Sequence, residues 1–236
     1  MSLEIKGFLE TSLIDWDGHV VSVVYLPRCN FRCPFCHNTG LVSNPENYPT
    51  ISIDKVMEFL KEHLDFIDGV CITGGEPTLH RDHGLFEFIE KIRAEGLKIK
   101  LDTNGADPLT IKQLLDKKMI DYIAMDIKAP LDERYSKLSG SNVDLDKVKQ
   151  SIALIMDSGL DYEFRTTVVA DMLVKADVEE ISKSLSGAKK LVLQQFEPKF
   201  ADADELKNVK PYSKETMLKM MEIAKKYVPN TILRGI

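Results

Sequence analysis

The feature that most constrains this chain is a short loop that contains three of its four cysteines. Cys29, Cys33 and Cys36 lie within eight residues, in the spacing Cys-x3-Cys-x2-Cys, and Cys71 stands apart from them. Disulfide frameworks spread their cysteines along a secreted chain, whereas thiols gathered in one loop are typical of a metal site in a reducing compartment. The fold must therefore present three thiols from a single connection.

The residues around this loop separate the kinds of metal that it could hold. A structural zinc ion needs four protein ligands, and His37 would complete such a set, so structural zinc stays an alternative. A zinc deaminase does not fit, because Arg32 rather than proline precedes the second cysteine and the chain has no His-x-Glu. A [4Fe–4S] cluster usually takes four thiolates, so three would leave one iron open to a reactant. We interpret Cys71 as a small buried apolar residue.

Apolar, β-branched runs alternate with amphipathic helical patterns along the chain. The predicted strands are 20–26, 69–73, 98–102, 122–128, 162–169 and 190–196, and a predicted helix follows each of them. Such a pattern indicates an α/β fold with a parallel sheet and helices outside it. Periodicity alone leaves two arrangements, an open doubly wound sheet or a curled barrel. We expect one domain over residues 1–236, because no linker, repeat or low-complexity tract interrupts the pattern.

Composition and charge exclude several classes of function. The chain is 44% hydrophobic and 29% charged, as expected for a protein with a core, and its net charge of −6 provides no general basic surface for nucleic acid. No run of apolar residues approaches the roughly 18 that a membrane helix needs, and the first residues do not resemble a signal peptide. We therefore expect a cytoplasmic protein with neither nucleic acid nor membrane as a partner.

The least ordinary residues of the chain stand where predicted strands end. Both arrangements of the sheet bind ligands at the carboxyl ends of their strands. At those ends lie the cysteine loop, Gly74–Pro77, Asp102–Gly105 and Asp126–Lys128, while Arg165 lies within the fifth strand. Glycines allow close approach of the backbone to a ligand, and the charged groups would be costly to bury unpaired. This edge is the predicted site; an ion-pair network without a catalytic role is the alternative.

Two motifs resemble those of a known family. Residues 29–36 (CNFRCPFC) match the signature of radical S-adenosylmethionine (SAM) enzymes, and residues 74–77 (GGEP) match the second motif of that family. The resemblance implies a partial (β/α)6 barrel whose three cysteines hold one [4Fe–4S] cluster, with methionine atoms of SAM on the open iron. It further implies that reduction of the cluster cleaves the sulfonium into methionine and a 5′-deoxyadenosyl radical. Phe35, Gly74, Gly75 and Glu76 are implied to line the cofactor site.

Later segments resemble the activating enzymes of glycyl-radical enzymes, most of all the short type that activates anaerobic ribonucleotide reductase. The segments that carry this resemblance are residues 12–18 (SLIDWDG), 36–38 (CHN), 159–167 (GLDYEFRTT) and 193–198 (LQQFEP). It implies that Lys128 and Arg165 contact SAM and that Asp102 and Asp126 bind its ribose. Alternatively, these two carboxylates, together with Thr103 and a carbonyl near Ala124, bind a monovalent cation, Na⁺ or K⁺. Asp15 is implied to lie near the bound substrate loop.

This resemblance predicts a radical SAM oxidoreductase that takes hydrogen from a glycine of a partner enzyme. Anaerobic ribonucleotide reductase is the first candidate for the partner, and flavodoxin or ferredoxin would supply the electron. The alternatives are a radical SAM enzyme that modifies a small molecule or another peptide, and a non-catalytic Fe–S or zinc-binding module. The chain departs from its relatives at Asp17, where they carry proline, and at Glu197, where a related activase has histidine. It also lacks the ferredoxin-like insertion with eight extra cysteines that many activating enzymes carry, so we expect one cluster.

Overall fold

The structure is a computed structural model that describes residues 3–236. It has the α/β fold that the sequence predicts, in which parallel strands alternate with helices. Among these residues we find no helix with both the length and the apolar character needed to cross a lipid bilayer.

Strands and α-helices alternate along most of the chain. The strands are β1 (Gly7–Ser12), β2 (Val21–Leu26), β3 (Gly69–Gly74), β4 (Lys98–Thr103), β5 (Tyr122–Asp126), β6 (Asp161–Val168), β7 (Leu191–Gln195) and β8 (Thr231–Arg234). The α-helices are α1 (Thr39–Ser43), α2 (Ile53–Glu62), α3 (Leu85–Ala94), α4 (Pro108–Asp116), α5 (Glu133–Ser139), α6 (Leu145–Asp157), α7 (Lys175–Ser184) and α8 (Lys214–Ala224). Short 3-10 helices lie at Pro45–Asn47, Pro77–His83, Pro198–Phe200 and Asp204–Asn208.

The chain divides into two compact units, and the prediction of a single functional domain stays a prediction. The first unit contains the chain up to Asn30, together with Asn38–Thr103 and Asp107–Ile123. Its strands lie in the order β1-β2-β3-β4, with β1 antiparallel to β2 and the other neighbours parallel. In this register Cys71 of β3 lies between Val23 of β2 and Lys100 of β4.

The second unit consists of Phe31–His37, Asn104–Ala106 and Ala124–Ile236. In it β6, β7 and β8 are parallel neighbours, with Phe164 opposite Leu191 and Leu191 opposite Thr231. Within the described chain β8 has a strand neighbour on one side alone, and the same holds for β1 in the first unit. The sheet is therefore open, as a partial barrel requires.

Helix starts follow from local chemistry that is visible in the sequence. The Ser52 hydroxyl accepts the backbone N–H of Lys55 at the start of α2. The Asp107 carboxylate accepts the N–H of Thr110 at the start of α4, where Pro108 is the first helical residue. These side chains satisfy N–H groups that the first turn leaves without a helical partner.

Four elements of the structure were not predicted from the sequence, and their residues explain why. β1 shows no alternation of buried and exposed residues, because three of its central residues are exposed. β8 has four residues, and α1 has five. α5 has seven residues, and its buried positions include the polar Ser139, so it lacks a clear apolar stripe.

The core of the first unit confirms the interpretation of Cys71. This residue is fully buried and lies in a cluster with Trp16, Val21 and Val23, with Tyr25 packed against the cluster. Trp16 is 5% exposed and packs against the Tyr122 ring, so its indole is part of the core.

Candidate functional site

The glycine pair at the end of β3 packs directly against the end of β2. The N–H of Gly75 donates to the carbonyl of Leu26 at 2.8 Å, and the N–H of Glu76 donates to that of Arg28 at 2.7 Å. A Cβ on Gly75 would lie 1.7 Å from the Arg28 oxygen, and Gly74 has a φ of +119°. A side chain at either position is therefore excluded by sterics. The pair holds the backbone immediately before the first cysteine.

Two further contacts fix the ends of the cysteine loop. Arg28, which precedes the first cysteine, adopts a φ of +64°, uncommon for a residue other than glycine. Its N–H donates to the carbonyl of Leu41 at 2.9 Å. Beyond the third cysteine, the Asn38 side chain donates to the carbonyl of Gly74 at 2.9 Å. The entry and the exit of the loop are thus tied within the first unit.

Glu76 acts as a local anchor between β3 and β4. Its side chain is 1% exposed, and one carboxylate oxygen accepts three hydrogen bonds. The donors are the Thr78 N–H at 3.1 Å, the Thr78 hydroxyl at 2.6 Å and the Thr103 hydroxyl at 2.7 Å. The sequence identifies Glu76 as a residue that lines the cofactor site, and its carboxylate can also anchor the backbone locally. The structure shows that role and adds Thr78, which the sequence reasoning missed.

The second and third cysteines enclose a tight turn. The N–H of Cys36 donates to the carbonyl of Cys33 at 3.0 Å, and the four cysteines form no disulfide bond. Cys33 is buried, and burial raises the pKa of its thiol while the ammonium of Lys128 opposes that shift. Among residues 3–236, no three or more His, Cys, Asp and Glu side chains are already grouped around a position for a metal ion.

The C-terminal end of α5 holds the segment between the first and second cysteines. The N–H of Arg32 donates to the carbonyl of Ser139 at 2.8 Å, and the Phe31 ring meets the Tyr135 ring edge-on at 6.4 Å between centroids. Gly140, which follows the helix, has a φ of +63°, and a Cβ there would come within 1.9 Å of the Arg32 oxygen. Sequence reasoning missed this contact, because α5 was not predicted.

The segment after β7 covers the other side of the turn. The N–H of Ala203 donates to the carbonyl of Pro34 at 2.9 Å. The His37 and Phe200 rings lie 5.4 Å apart, and burial lowers the pKa of His37, opposed by the carboxylate of Glu197. Glu197 itself is exposed. The backbone of the cysteine turn is therefore held by both α5 and residues 198–208.

Asp126, Lys128 and Arg165, which the sequence assigns to the predicted site, form a group of ion pairs, and their contact with SAM stays a prediction. The two Asp126 carboxylate oxygens lie 2.9 Å from Lys128 Nζ and 2.8 Å from Arg165 Nε. Burial acts to raise the pKa of Asp126, but both cations outweigh it and hold that pKa well below its usual range. Burial acts in the opposite direction on Lys128, yet Asp126 raises the pKa of that ammonium above its usual range. Lys128 also lies over the Phe35 ring, 6.0 Å from its centroid.

Asp102 has a partner that the sequence reasoning missed. Its carboxylate lies 2.8 Å from Nζ of Lys100, and the two side chains are 10% and 3% exposed. The same Nζ donates to the backbone carbonyl of Asp15 at 2.6 Å and lies 3.8 Å from Sγ of Cys71. The signal was present in residues 98–102 (KIKLD), because alternate positions of a strand share one face of the sheet.

Asp15 lies in the connection from β1 to β2. Its carboxylate accepts the Ser12 hydroxyl at 2.6 Å, and the same hydroxyl oxygen accepts the backbone N–H groups of Ile14 and Asp15. Leu13 and Ile14, at the tip of this turn, are 70% and 80% exposed. Hydrogen bonds among its own residues thus order the connection, and two of its apolar side chains are exposed to solvent.

Comparisons with known proteins agree with this geometry. A family model described as the radical SAM superfamily matches residues 23–186. A protein of Methanocaldococcus jannaschii named as a putative glycyl-radical enzyme activating enzyme is 34% identical over 242 residues, which cover 100% of this chain and 98% of that protein. The GTP 3',8-cyclase of Helicobacter pylori (strain HPAG1) is 31% identical over 225 residues, covering 93% of this chain and 60% of the cyclase.

A solved structure shows the same fold. Streptococcus suis SuiB bound to the precursor peptide SuiA matches with a TM-score of 0.70 at 16% identity. The match covers 91% of this chain and 48% of SuiB, so this chain spans about half the length of that protein. At this identity the likeness supports the fold alone, and it agrees with the partial barrel predicted from the sequence.

Proposed function

The chain belongs to the radical SAM superfamily, and on that premise we propose that it activates a glycyl-radical enzyme by taking a hydrogen atom from a glycine of that partner. The similarity to a protein named as a putative glycyl-radical enzyme activating enzyme, over 100% of this chain and 98% of that protein, supports this function. Anaerobic ribonucleotide reductase is the first candidate for the partner, with flavodoxin or ferredoxin as the electron donor. We expect the reaction to take place in the cytoplasm.

Cys29, Cys33 and Cys36 are proposed to hold one [4Fe–4S] cluster. The donor set fits, because none of the three thiols is in a disulfide bond and thiolates are the usual ligands of iron–sulfur clusters. The loop backbone that carries them is held by the contacts at Arg28 and Arg32. When bound, the cluster would supply the electron for reductive cleavage of SAM to methionine and a 5′-deoxyadenosyl radical, and that radical would take a glycine Cα hydrogen to become 5′-deoxyadenosine.

The group of Lys128, Arg165 and Asp126 is the observation that carries the proposal. These side chains together hold one positive charge, two cations against one carboxylate, because the ion pairs keep all three ionised. A positive group suits the carboxylate of the methionine moiety of SAM, with Arg165 available for charge-assisted hydrogen bonds. Asp126 orients both cations, and we propose that it also offers a hydrogen-bond acceptor to the ribose of SAM.

The carboxyl ends of β3 and β4 in the first unit are also proposed to contribute ligands to SAM. Asp102 would accept a ribose hydroxyl, while Gly74 and Gly75 would offer backbone carbonyls to the methionine ammonium. Glu76 keeps these carbonyls in place through Thr78 and Thr103. The Na⁺ or K⁺ ion expected at Asp102, Thr103 and Asp126 stays a prediction. It is compatible with the hydrogen bond from Thr103 to Glu76, because the Thr103 hydroxyl donates its proton and retains oxygen lone pairs for a cation.

The connection from β1 to β2 supports a protein loop as the substrate. The Trp16 side chain packs on the face of β2 and β3 that carries Val23 and Cys71, so a side chain of the protein itself occupies this face. Beside it, Leu13 and Ile14 are exposed on an ordered turn, and exposed apolar side chains in such a position are suited to contact with another polypeptide. We propose that Asp15 faces the same partner loop.

Two other functions are kept as alternatives. A radical SAM enzyme that modifies a small molecule or another peptide is favoured by the similarity to the GTP 3',8-cyclase. A non-catalytic Fe–S or zinc-binding module is the alternative of a different class. Metal analysis of the purified protein separates the zinc-binding module, because three to four irons with sulfide support the proposal and one zinc contradicts it. A non-catalytic Fe–S module is separated by its failure to cleave SAM.

Cleavage of SAM is tested without oxygen. The cluster is reconstituted, dithionite and SAM are added, and 5′-deoxyadenosine is quantified with and without the candidate partner. We expect product from the wild type and none from Cys33→Ala, while Cys71→Ala retains activity. A fully loaded wild type that forms no 5′-deoxyadenosine even with the partner present would contradict radical SAM chemistry.

A further inference from the structure

Lys100 is a buried cation for which the family motifs give no role. Only 2% of the residue is exposed, and its side chain lies on β4 between Cys71 and the connection from β1 to β2. Long charged side chains are almost never fully buried unless they are paired. The contacts of Lys100 therefore point to a specific task.

The first contact is the ion pair with Asp102. Both side chains are nearly inaccessible, at 3% and 10% exposure, and their charged atoms lie 2.8 Å apart. Removing one partner of such a pair leaves the other buried without compensation. Lys100 thus fixes both the charge and the position of the carboxylate that we propose as a ligand of the SAM ribose.

The second contact reaches the connection from β1 to β2. Lys100 Nζ donates to the carbonyl of Asp15 at 2.6 Å, so one ammonium joins this connection to Asp102. The turn on one side of the carbonyl is closed by Ser12, and the Trp16 side chain on the other side is anchored in the core. A shift of the Lys100 ammonium would be felt at both of its oxygen partners.

We propose that Lys100 is a positioning residue that holds the Asp102 carboxylate in its SAM-binding position and the connection of residues 12–19 in its substrate-facing position. The inference rests on the proposed function through the role of Asp102. It adds that the two halves of the site, cofactor and partner, are set by one side chain.

A double-mutant cycle on SAM binding tests the first half. The dissociation constant of SAM is measured by equilibrium dialysis on the cluster-loaded, unreduced protein, in which SAM is not cleaved. We expect Lys100→Met and Asp102→Asn each to weaken binding about tenfold or more. The dissociation constant of SAM for the double variant should be no higher than the higher of the two single-variant values, because Lys100 acts through Asp102. This variant also removes both charges together, so no unpaired buried charge is left.

Hydrogen exchange of the protein without SAM tests the second half. Lys100→Met should raise amide exchange in the peptide that covers residues 13–19, whereas Asp102→Asn should leave it protected. Lys112→Met is the matched control, since Lys112 pairs with Asp116 on the exposed surface of α4. It should change neither SAM binding nor exchange. Lys100→Arg should restore part of the affinity, because it keeps a cation at this position.

The outcomes separate this inference from the proposed function. The role of Lys100 would be overturned if the losses of SAM affinity in the two single variants multiply in the double variant. It would also be overturned if amide hydrogen exchange at residues 13–19 is unchanged in Lys100→Met. Unchanged SAM binding in Asp102→Asn would instead overturn the proposed role of Asp102. A wild type that binds SAM with the expected cycle, yet activates no glycyl-radical enzyme, would contradict the proposed function and leave the role of Lys100 standing.

Discussion

The carbonyl oxygen of Arg32 occupies the place where a side chain on Gly140 would stand, since a Cβ at Gly140 would come within 1.9 Å of it. The same stretch is held by the hydrogen bond from the Arg32 N–H to the Ser139 carbonyl. The end of α5 is thereby fitted to the backbone between the first two cysteines. This fit depends on a glycine for two reasons, the left-handed φ of +63° and the lack of space.

Gly140→Ala should reduce loading of the cluster, because the alanine methyl must displace the Arg32 carbonyl and the cysteine loop with it. Gly159→Ala is the matched control: its φ of +76° is similar, but nothing lies within 4 Å of a Cβ there. Both variants should lose about 1 kcal/mol of stability from the left-handed backbone. Iron bound after reconstitution should fall in Gly140→Ala alone, and equal iron in the two variants would refute the steric account.

Thr103→Val should destabilise the protein in the absence of any metal or SAM. The hydroxyl of Thr103 donates to buried Glu76 at 2.7 Å, and loss of a hydrogen bond to a buried carboxylate costs about 1–3 kcal/mol. Thr103→Ser, which keeps the hydroxyl, is the control. Urea unfolding of the metal-free protein measures the difference. If Thr103 served a cation alone, the valine variant would be as stable as the serine variant under these conditions.

The acid stability of the second unit should depend on Glu163. Its side chain is 2% exposed, and its oxygens lie 3.0 Å from Arg234 and 3.1 Å from Lys190. Burial acts to raise the pKa of Glu163, but these cations hold it below the ordinary value of 4.5. A depressed folded pKa stabilises the fold above the unfolded pKa, and that stabilisation is lost as pH falls through the folded pKa.

Glu163→Gln should therefore cost about 3 kcal/mol at neutral pH, and the difference from the wild type should shrink as pH falls below about 4.5. Urea unfolding at several pH values measures this. Asp161→Asn is the control on the same strand, because Asp161 is exposed and pairs with Lys189 at the surface. A difference between wild type and Glu163→Gln that does not depend on pH would show that the carboxylate is not the responsible group.

Single Cys→Ala variants should divide the four cysteines into two classes. Loss of Cys29, Cys33 or Cys36 should abolish the iron and sulfide content of the reconstituted protein, because each is a proposed ligand. Cys71→Ala should keep the iron and lose about 1 kcal/mol of stability, since the thiol is fully buried in the core. Full iron content in any of the first three variants would remove that cysteine from the ligand set.

The parts of the fold that local chemistry decides are predictable from sequence. β-branched runs give β2 and β3, and the caps at Ser52 and Asp107 give helix starts to the residue. An ion-pair network among these charged residues was the alternative that the sequence offered to a binding role, and Asp126 does pair with Lys128 and with Arg165, which lies within β6. Short elements such as α5 were missed, since seven residues with a buried serine carry little periodic signal.

Other parts of the site depend on pairings between distant segments. To predict the hydrogen bond from Thr103 to Glu76, one must know which turn lies beside the end of β4. One partner of Lys100 outside its own strand is the backbone carbonyl of Asp15, and a contact with a carbonyl cannot be predicted from residue types. The glycine pair was expected to approach a ligand, and the structure shows that it also packs on the backbone of Leu26 and Arg28.

The central claim is that this protein places a radical on a glycine of a partner enzyme. The most direct test is electron paramagnetic resonance of the reduced, cluster-loaded protein mixed anaerobically with SAM and anaerobic ribonucleotide reductase from the same organism. We expect a glycyl-radical doublet that requires SAM and is absent with Cys33→Ala. Its splitting should collapse when the partner carries α-deuterated glycine. Formation of 5′-deoxyadenosine without a protein radical, in this partner and in each other glycyl-radical enzyme of the organism, would contradict it.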